Sequence, residues 1–274
     1  MLPFACDLEL EVTAISTDGP VEFSPPQAQP YAEGVGAALL EAGIRVERRR
    51  GEVSSTIPVG AGLSSSAALE AALALALTDG EIELDPVLLQ RAEFLATGVE
   101  CGVMDQTAVV KGRRGYAMLL DCATGTIEHV RMPDEIAFVV VDTGTRRALA
   151  DGRYAQRRAE VEAGEPKRMR HAETEQRRVY DAVDALRAGD VASLGGLLNE
   201  SQASLRDDFE VSSEVLDRTV EAAVAIPGVH GARLVGAGFA GCVLAVVEKG
   251  AESGPLERFD VAYVVHAVDG AGPV

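Results

Sequence analysis

A chain of 274 residues, 47% of them hydrophobic, is long enough for one large domain or two modest ones. The formal net charge of −18 argues against nucleic acid or an anionic membrane surface as the main partner. The four cysteines and four histidines are scattered without metal-ligand spacing, so we expect no zinc site and single cysteines in a reducing compartment. No segment is typical of a signal peptide or a transmembrane helix, which predicts a soluble cytoplasmic protein without a membrane partner.

The first part of the chain alternates strand and helix patterns. Leu8, Leu10 and Val12 alternate with polar residues, which predicts a half-buried strand. A helix is predicted over residues 31–42, followed by a strand over 44–50.

The stretch 58–77 joins a glycine-rich turn to a helix that begins among three serines. Gly60 and Gly62 let the backbone bend, the serines supply hydroxyls and an N-cap, and residues 67–77 form a buried helix with Glu70 as its only charge. Such a helix start favours a bound phosphate, although a plain capped helix is the alternative. No Walker lysine is present, so a bound triphosphate would need backbone amides, hydroxyls and a divalent cation. The candidate phosphate-binding residues are Gly60, Ala61, Gly62, Leu63, Ser64, Ser65 and Ser66.

The middle of the chain contains polar residues that would not be assigned a function individually. Asp85 followed by Pro86 predicts a helix over residues 86–97, on which Glu93 would ordinarily be a solvated side chain. Asp105 ends a glycine-containing turn over 98–106, where an aspartate is usually a helix cap. Strands are predicted for residues 116–121 and 136–142.

The second half of the chain is predicted to be a separate α+β lobe that begins near residues 130–145. Tyr154 lies on its first helix, where a tyrosine is usually a packing residue. The predicted helices cover 153–163, 173–186, 191–203 and 213–224, with a linker over 164–170 and strands over 231–235, 242–247 and 261–266.

The run Gly236–Gly241 matches the G-x-G-x-x-G pattern of dinucleotide-binding folds. That pattern must open a helix, but the residues after it, 242–247, are β-branched and apolar, as in a strand. We therefore expect a glycine-lined hairpin or a close approach to a ligand.

Taken together, these segments resemble the GHMP small-molecule kinases, in their galactokinase branch. Residues 58–70 resemble the second motif of that family, residues 101–106 its catalytic turn, and residues 236–242 its third motif, in which Ala240 replaces a usual glycine. Two further segments resemble galactokinase patterns: one containing Tyr154, Arg157 and Arg158, and one over 204–212. The resemblance covers essentially the whole chain, in order.

This resemblance implies an α+β fold of two lobes with the active site in the cleft between them. The N-terminal lobe, residues 1–132, would be ribosomal-protein-S5-like, and the C-terminal lobe, residues 133–274, ferredoxin-like. Residues 60–66 would wrap the phosphates of ATP, and Ser66 and Glu93 would be the ligands of Mg²⁺. Asp105 would take the proton from the anomeric hydroxyl of galactose as that oxygen attacks the γ-phosphoryl group, and Tyr154 would contact the sugar.

Family members also carry a first motif, which supplies an arginine and most sugar contacts, before the segment that begins this chain. We expect the coding start to lie further upstream or the gene to be truncated, and the activity of the chain alone is in doubt. Two alternatives stay open: another sugar or small-alcohol kinase of the same superfamily, and a non-catalytic nucleotide or sugar sensor. We expect a monomer, and backbone strain at Ala240 because alanine tolerates positive φ poorly.

Overall fold

The computed structural model describes residues 2–146 and 152–272, and it opens with a three-stranded sheet in the order β1-β3-β2. Strand β1 (Leu10–Ser16) pairs antiparallel with β3 (Arg49–Ser55), and β2 (Glu22–Ser24) pairs parallel with β3. The strand predicted over 44–50 is wrong in most of its length, because β3 begins only at Arg49. The segment before it is tied to a helix end instead, since the backbone amide of Glu47 donates to the carbonyl of Leu77 over 2.8 Å.

Four helices belong to the first part of the chain: α1 (Gln29–Glu41), α2 (Ser65–Leu77), α3 (Pro86–Thr97) and α4 (Met104–Lys111). Residues of α1, α2 and α3 form an apolar core with residues that precede and follow them. The predicted start of α3 is confirmed: the Asp85 side chain accepts a hydrogen bond from the amide of Val87 over 2.9 Å. Proline in the first turn has no amide hydrogen to leave unpaired there.

Helix α4 corrects the prediction that residues 98–106 form only a turn. The chain becomes helical at Met104, so Asp105 lies in the first turn of a helix rather than in a loop. This helix was not predicted because Thr107, Val109 and Val110 are β-branched residues with low helix propensity. Thr107 stabilises the turn by donating its hydroxyl to the carbonyl of Val103 over 2.7 Å.

A hairpin of β4 (Tyr116–Asp121) and β5 (Thr126–Arg131) connects to strand β6 (Ile136–Asp142). The predicted bounds of β4 and β6 are confirmed, whereas β5 was not predicted. Strand β6 is buried on both faces, and its side chains alternate between two apolar cores: Phe138 and Val140 face one, and Val139 and Val141 the other. A nearly all-apolar strand is the pattern that such a central position requires.

The rest of the chain builds a four-stranded antiparallel sheet in the order β7-β8-β6-β9 and the helices packed around it. The segment 164–170 is not a linker: Pro166 starts a long helix, and Glu165 caps it by accepting from the amide of Arg168. Ser213 caps α8 by accepting from the amide of Leu216. The short helix α9 was not predicted. The remaining elements are α5 (Arg153–Glu162), α6 (Pro166–Ala188), α7 (Val191–Asp207), α8 (Glu214–Val224), β7 (Val229–Leu234), β8 (Cys242–Glu248), α9 (Ser253–Arg258) and β9 (Ala262–Val265).

None of the helices in the described parts of the chain is long and apolar enough to cross a membrane. Strands β7 and β8 pair antiparallel, and the glycine-rich segment 235–241 connects them. The prediction that this segment forms a hairpin is therefore confirmed.

Helix α7 crosses β7 at backbone contact distance. A methyl group at Gly195 would overlap the backbone and Cβ of His230, and one at Gly231 would overlap the backbone of Gly195. The next residue of the helix, Gly196, is exposed, and a methyl group there would meet no atom within 4 Å. Two adjacent glycines therefore have different roles, one in packing and one without a contact.

We expect Gly195→Ala to lower the free energy of unfolding by about 1–3 kcal/mol, because the methyl group forces α7 away from β7. Gly196→Ala is the matched control and should raise it by up to about 1 kcal/mol, the difference in helix propensity. Urea denaturation of the three proteins measures both values. Equal effects of the two substitutions would contradict the packing role of Gly195.

Candidate active site

The loop that joins β3 to α2, residues 56–64, ends in alternating left-handed backbone. Gly60, Gly62 and Ser64 have φ angles of 70°, 81° and 56°. Such alternation turns successive amide groups toward one side and forms a concavity that suits an anion. Ser64 occupies the N-cap position of α2, but its side chain makes no capping hydrogen bond, which corrects the prediction that the serines cap this helix. The start of α2 therefore keeps its amide donors for another acceptor.

The segment between β7 and β8, residues 235–241 (the third loop), lies directly against the candidate phosphate-binding residues 60–66 (the phosphate loop). A Cβ at Gly62 would come within 2.9 Å of the carbonyl oxygen of Val235, and one at Gly236 within 2.9 Å of the carbonyl oxygen of Gly62. The carbonyl of Ala61 also accepts a hydrogen bond from the amide of Cys242 over 3.0 Å. Only glycine permits both this approach and these left-handed φ angles.

Two threonines after β6 hold the other side of the third loop. Thr143 donates its hydroxyl to the carbonyl of Gly241 over 2.5 Å, and the amide of Gly241 donates to the hydroxyl of Thr145 over 3.1 Å. The two hydroxyls are 2.6 Å apart and hydrogen bonded to each other. The end of β6, the third loop and the phosphate loop are thus fixed as one unit.

The strain expected at Ala240 lies instead at the preceding residue. Phe239 has a φ of 66°, whereas Ala240 has no left-handed backbone and is buried. The amide of Phe239 donates to the carbonyl of Val211 over 2.6 Å, and the guanidinium of Arg153 lies 4.2 Å from the centre of its ring. These contacts hold a conformation that a bulky residue rarely adopts.

Helices α2 and α3 bring a serine and two glutamates together beside the phosphate loop, and α4 adds Gln106. The hydroxyl of Ser66 donates to Oε1 of Glu93 over 2.9 Å. The other carboxylate oxygen, Oε2, accepts from the amide nitrogen of Gln106 over 2.7 Å and from the thiol of Cys101 over 3.0 Å. Glu93 is only 7% exposed, so these three donors replace the water that burial removes.

Glu70 is fully buried at the centre of the same cluster. Its Oε2 accepts from Nε2 of Gln106 over 3.2 Å, and its Oε1 has no hydrogen-bond partner within residues 2–146 and 152–272. Burial, and next the negative charge of Glu93, raise the pKa of Glu70 to about 9. Glu70 is therefore protonated at neutral pH.

Asp105 belongs to this cluster, because its charge contributes to the raised pKa values of both Glu70 and Cys101. It is half-buried in the first turn of α4, beside Gln106. The predicted site residues Ser66 and Glu93 are thus in direct contact, and the charge of Asp105 acts on the same cluster from a third helix.

Tyr154 does not belong to the helices of the acid cluster but lies on α5, beside Arg153. It is 44% exposed and directly follows Arg153, whose guanidinium stacks on the third loop. The pKa of Arg158 is raised mainly by its hydrogen bond to Glu162 and in smaller part by Glu100, which lies in the turn before α4. Helix α5 is therefore within electrostatic range of the turn that leads to Asp105.

Glu70, Cys101 and Gln106 were not predicted from the sequence as site residues. The single acid in the Ala/Leu run of α2 is a signal for Glu70, since a lone charge on a buried helix requires a partner. Cys101 and Gln106 carry no comparable signal, because their contacts depend on how α3 and α4 pack.

Ser66 and Glu93 have the chemistry of a magnesium site. Both present hard oxygen donors, and the 2.9 Å between their oxygens equals the separation of about 2.9 Å between adjacent octahedral ligands at 2.0–2.1 Å from Mg²⁺. Among the described residues no group of three or more His, Cys, Asp or Glu side chains could hold a metal ion. Magnesium needs no such cage, because water and substrate phosphates complete its coordination shell.

The fold and the site define the class of the protein, a GHMP kinase. The family model of the GHMP kinases N terminal domain matches residues 31–113, and that of the GHMP kinases C terminal domain matches residues 182–257. The predicted two-lobe α+β fold of this class is confirmed. The mevalonate kinase of Methanococcus jannaschii shares the fold, with a TM-score of 0.73 at 18% identity over 97% of this chain and 90% of that chain.

The chain belongs to the galactokinase family. It is 38% identical to a galactokinase of Roseiflexus sp. (strain RS-1) over 88% of this chain and 70% of that relative. It is 35% identical to the galactokinase of Homo sapiens over 80% of this chain and 66% of the relative, so it spans about two thirds of the length of these curated relatives. The structure of Lactococcus lactis galactokinase complexed with galactose superposes with a TM-score of 0.87 at 25% identity, over 99% of this chain and 88% of that one.

The raised pKa of Glu70 predicts that the stability of the folded protein decreases as the pH rises. Between pH 4.5, where the free acid ionises, and about pH 9, the folded chain holds a proton that the unfolded chain has lost. The free energy of unfolding should therefore fall by about 1.4 kcal/mol per pH unit relative to Glu70→Gln, which cannot ionise.

Urea denaturation at about pH 6, 7 and 8, with a chelator present, measures this difference. Glu81→Gln, at an exposed position of the same lobe, is the control. The difference in the free energy of unfolding between this variant and the unmodified protein should be the same at all three pH values. If the free energies of unfolding of Glu70→Gln and the unmodified protein differed by the same amount at all three pH values, Glu70 would be ionised in the folded protein.

Proposed function

We propose that this protein transfers the γ-phosphoryl group of ATP to the anomeric hydroxyl of galactose and forms galactose 1-phosphate. The observation that carries the proposal is the cluster of Ser66, Glu93 and Asp105 beside an uncapped, left-handed phosphate loop. Membership of the galactokinase family, and a structural relative that was solved with galactose, support the choice of sugar.

The phosphate loop, residues 60–66, would bind the triphosphate through its backbone amides, the serine hydroxyls and the positive end of the α2 dipole. This part of the chain has no basic side chain, so its electrostatic support comes from these dipoles. Ser66 and Glu93 would hold Mg²⁺, which when bound neutralises phosphate charge and aligns the transferred group.

Asp105 would act as the general base. Its position in the first turn of α4, and the effect of its charge on Glu70, support a place near Ser66 and Glu93, where the γ-phosphoryl group would be presented. It would accept the proton of the anomeric hydroxyl as that oxygen attacks phosphorus. Tyr154, exposed on α5, would contact the sugar.

Three further predictions accompany this function. The lobes would divide at residues 132 and 133, which is supported by the pairing of β6 with strands of the C-terminal sheet. A cytoplasmic location is supported by the four cysteines, all of which are free. The monomeric state stays a prediction.

A sugar panel tests the substrate. We expect the full-length protein to release ADP with ATP, Mg²⁺ and galactose, and to do so at least about tenfold more efficiently than with glucose, mannose or mevalonate. A coupled ADP-release assay measures the rates. Turnover with another acceptor and none with galactose would identify a different kinase of the superfamily, and nucleotide binding without any turnover would identify a sensor.

Asp105→Asn tests the role of the base. The substitution keeps the shape of the side chain but removes its capacity to accept a proton, so kcat should fall by about 10²–10⁴-fold. Nucleotide affinity, measured by titration calorimetry, should stay within about twofold, because Asp105 holds no phosphate. Asp134→Asn, at an exposed position, is the matched control with unchanged kcat. A kcat of Asp105→Asn close to that of the control would contradict the proposed role.

A further inference from the structure

Gln106 has no part in the proposed reaction, yet its side chain occupies the centre of the acid cluster. It is 0% exposed, and its Nε2 donates to Oε2 of Glu93 over 2.7 Å and to Oε2 of Glu70 over 3.2 Å. One amide group thus joins two buried acids. A buried glutamine without such partners would destabilise the fold, so both contacts matter to the cluster.

The two carboxylate oxygens of Glu93 have different hydrogen-bond donors. Oε2 is taken by Gln106 and by the thiol of Cys101. Among the residues that the structure describes, Oε1 accepts only from Ser66. The amide therefore fixes the rotation of the carboxylate, and it does so in the orientation that presents Oε1 and the serine hydroxyl side by side.

The same amide also links the three helices that carry the site. Ser66 and Glu70 lie one helical turn apart on α2, Glu93 lies on α3, and Gln106 follows Asp105 on α4. A shift of α4 relative to α2 or α3 would break one of the two hydrogen bonds of Gln106. The position of Asp105 relative to Glu93 is thus tied to the geometry of one side chain.

We propose that Gln106 is a positioning residue that holds Glu93 with Oε1 toward Ser66 and the magnesium ion, and keeps Asp105 on α4 aligned with that pair. This role rests on the proposed function, in which Ser66 and Glu93 are the magnesium ligands. Partners that orient a ligating carboxylate typically contribute 10–100-fold to metal affinity or activity.

Gln106→Met tests the proposal, because methionine fills a similar volume without an amide donor. The binding of a non-hydrolysable ATP analogue is measured by titration calorimetry, once with excess Mg²⁺ and once with EDTA. We expect the Kd with Mg²⁺ to rise about 10–100-fold, whereas the Kd in EDTA stays within about twofold. In the kinase assay, kcat should fall and the Mg²⁺ concentration for half-maximal rate should rise, with the KM for galactose unchanged.

Thr78→Val is the matched control for stability. Thr78 is buried on the C-terminal side of α2, where its hydroxyl donates to the carbonyl of Ala74 over 2.7 Å, remote in sequence from Ser66 and Glu70. This variant loses a buried hydrogen bond without touching the acids, so its Kd values should match those of the unmodified protein. An equal rise in both variants would overturn the proposal and reduce Gln106 to a structural residue.

Cys101 provides a second, milder test if Gln106→Met does not fold. Cys101→Ala removes the other donor to Oε2 of Glu93 and should raise the Kd with Mg²⁺ by about threefold or more. Cys101→Ser keeps a donor at that place and should restore the original value. An unchanged Kd in Cys101→Ala, or in a folded Gln106→Met, contradicts the positioning role.

The two readouts separate failure of this proposal from failure of the proposed function. The calorimetric experiment contains no sugar, so it reports on magnesium and nucleotide even if galactose is not the substrate. Absence of Mg²⁺-dependent nucleotide binding in the unmodified protein would overturn both.

Discussion

The contact of backbone with backbone between the phosphate loop and the third loop is the constraint on which the site depends. Gly62 and Gly236 meet at distances that admit no side chain, and Ala61 accepts a hydrogen bond from the first residue of β8. The loop before α2 is consequently positioned by a hairpin of the C-terminal sheet. Because the threonines after β6 hold the opposite side of that hairpin, two distant parts of the chain fix the position of this one short loop.

The acid cluster solves a second problem, the burial of two glutamates in neighbouring helices. An ionised carboxylate without partners would cost several kcal/mol in such a place. Glu93 receives three donors, while Glu70 retains its proton and shares the amide of Gln106. The proton on Glu70 removes one charge from the cluster, and the donors of Glu93 hold its carboxylate beside Ser66.

The sequence predicts those parts of the molecule that local chemistry determines. Asp85 and Pro86 specify the start of α3, and the unbroken apolar run of β6 specifies a central strand. The glycine pattern of the third loop indicated a hairpin because a strand-like segment follows it. The motifs also indicated the family and the candidate residues Ser66, Glu93 and Asp105.

Elements that depend on distant contacts could not be predicted in this way. Residues 44–48 have a strand-like composition, but the amide of Glu47 pairs with the end of α2. Helix α4 forms despite β-branched residues, and its packing against α2 and α3 is what gives Gln106 its two acceptors. The contacts of Cys101 likewise come from its position beside α3, which no local pattern encodes.

The uncapped start of α2 links binding to local order. Ser64 occupies the cap position without using its hydroxyl there, so the first amides of the helix keep their hydrogen-bonding capacity for the anion of the proposed function. A ligand at this point would strengthen the helix that holds it, and the free energy of binding would include that gain in helix stability. In the proposed function, binding of the triphosphate would therefore also stabilise the first turn of α2.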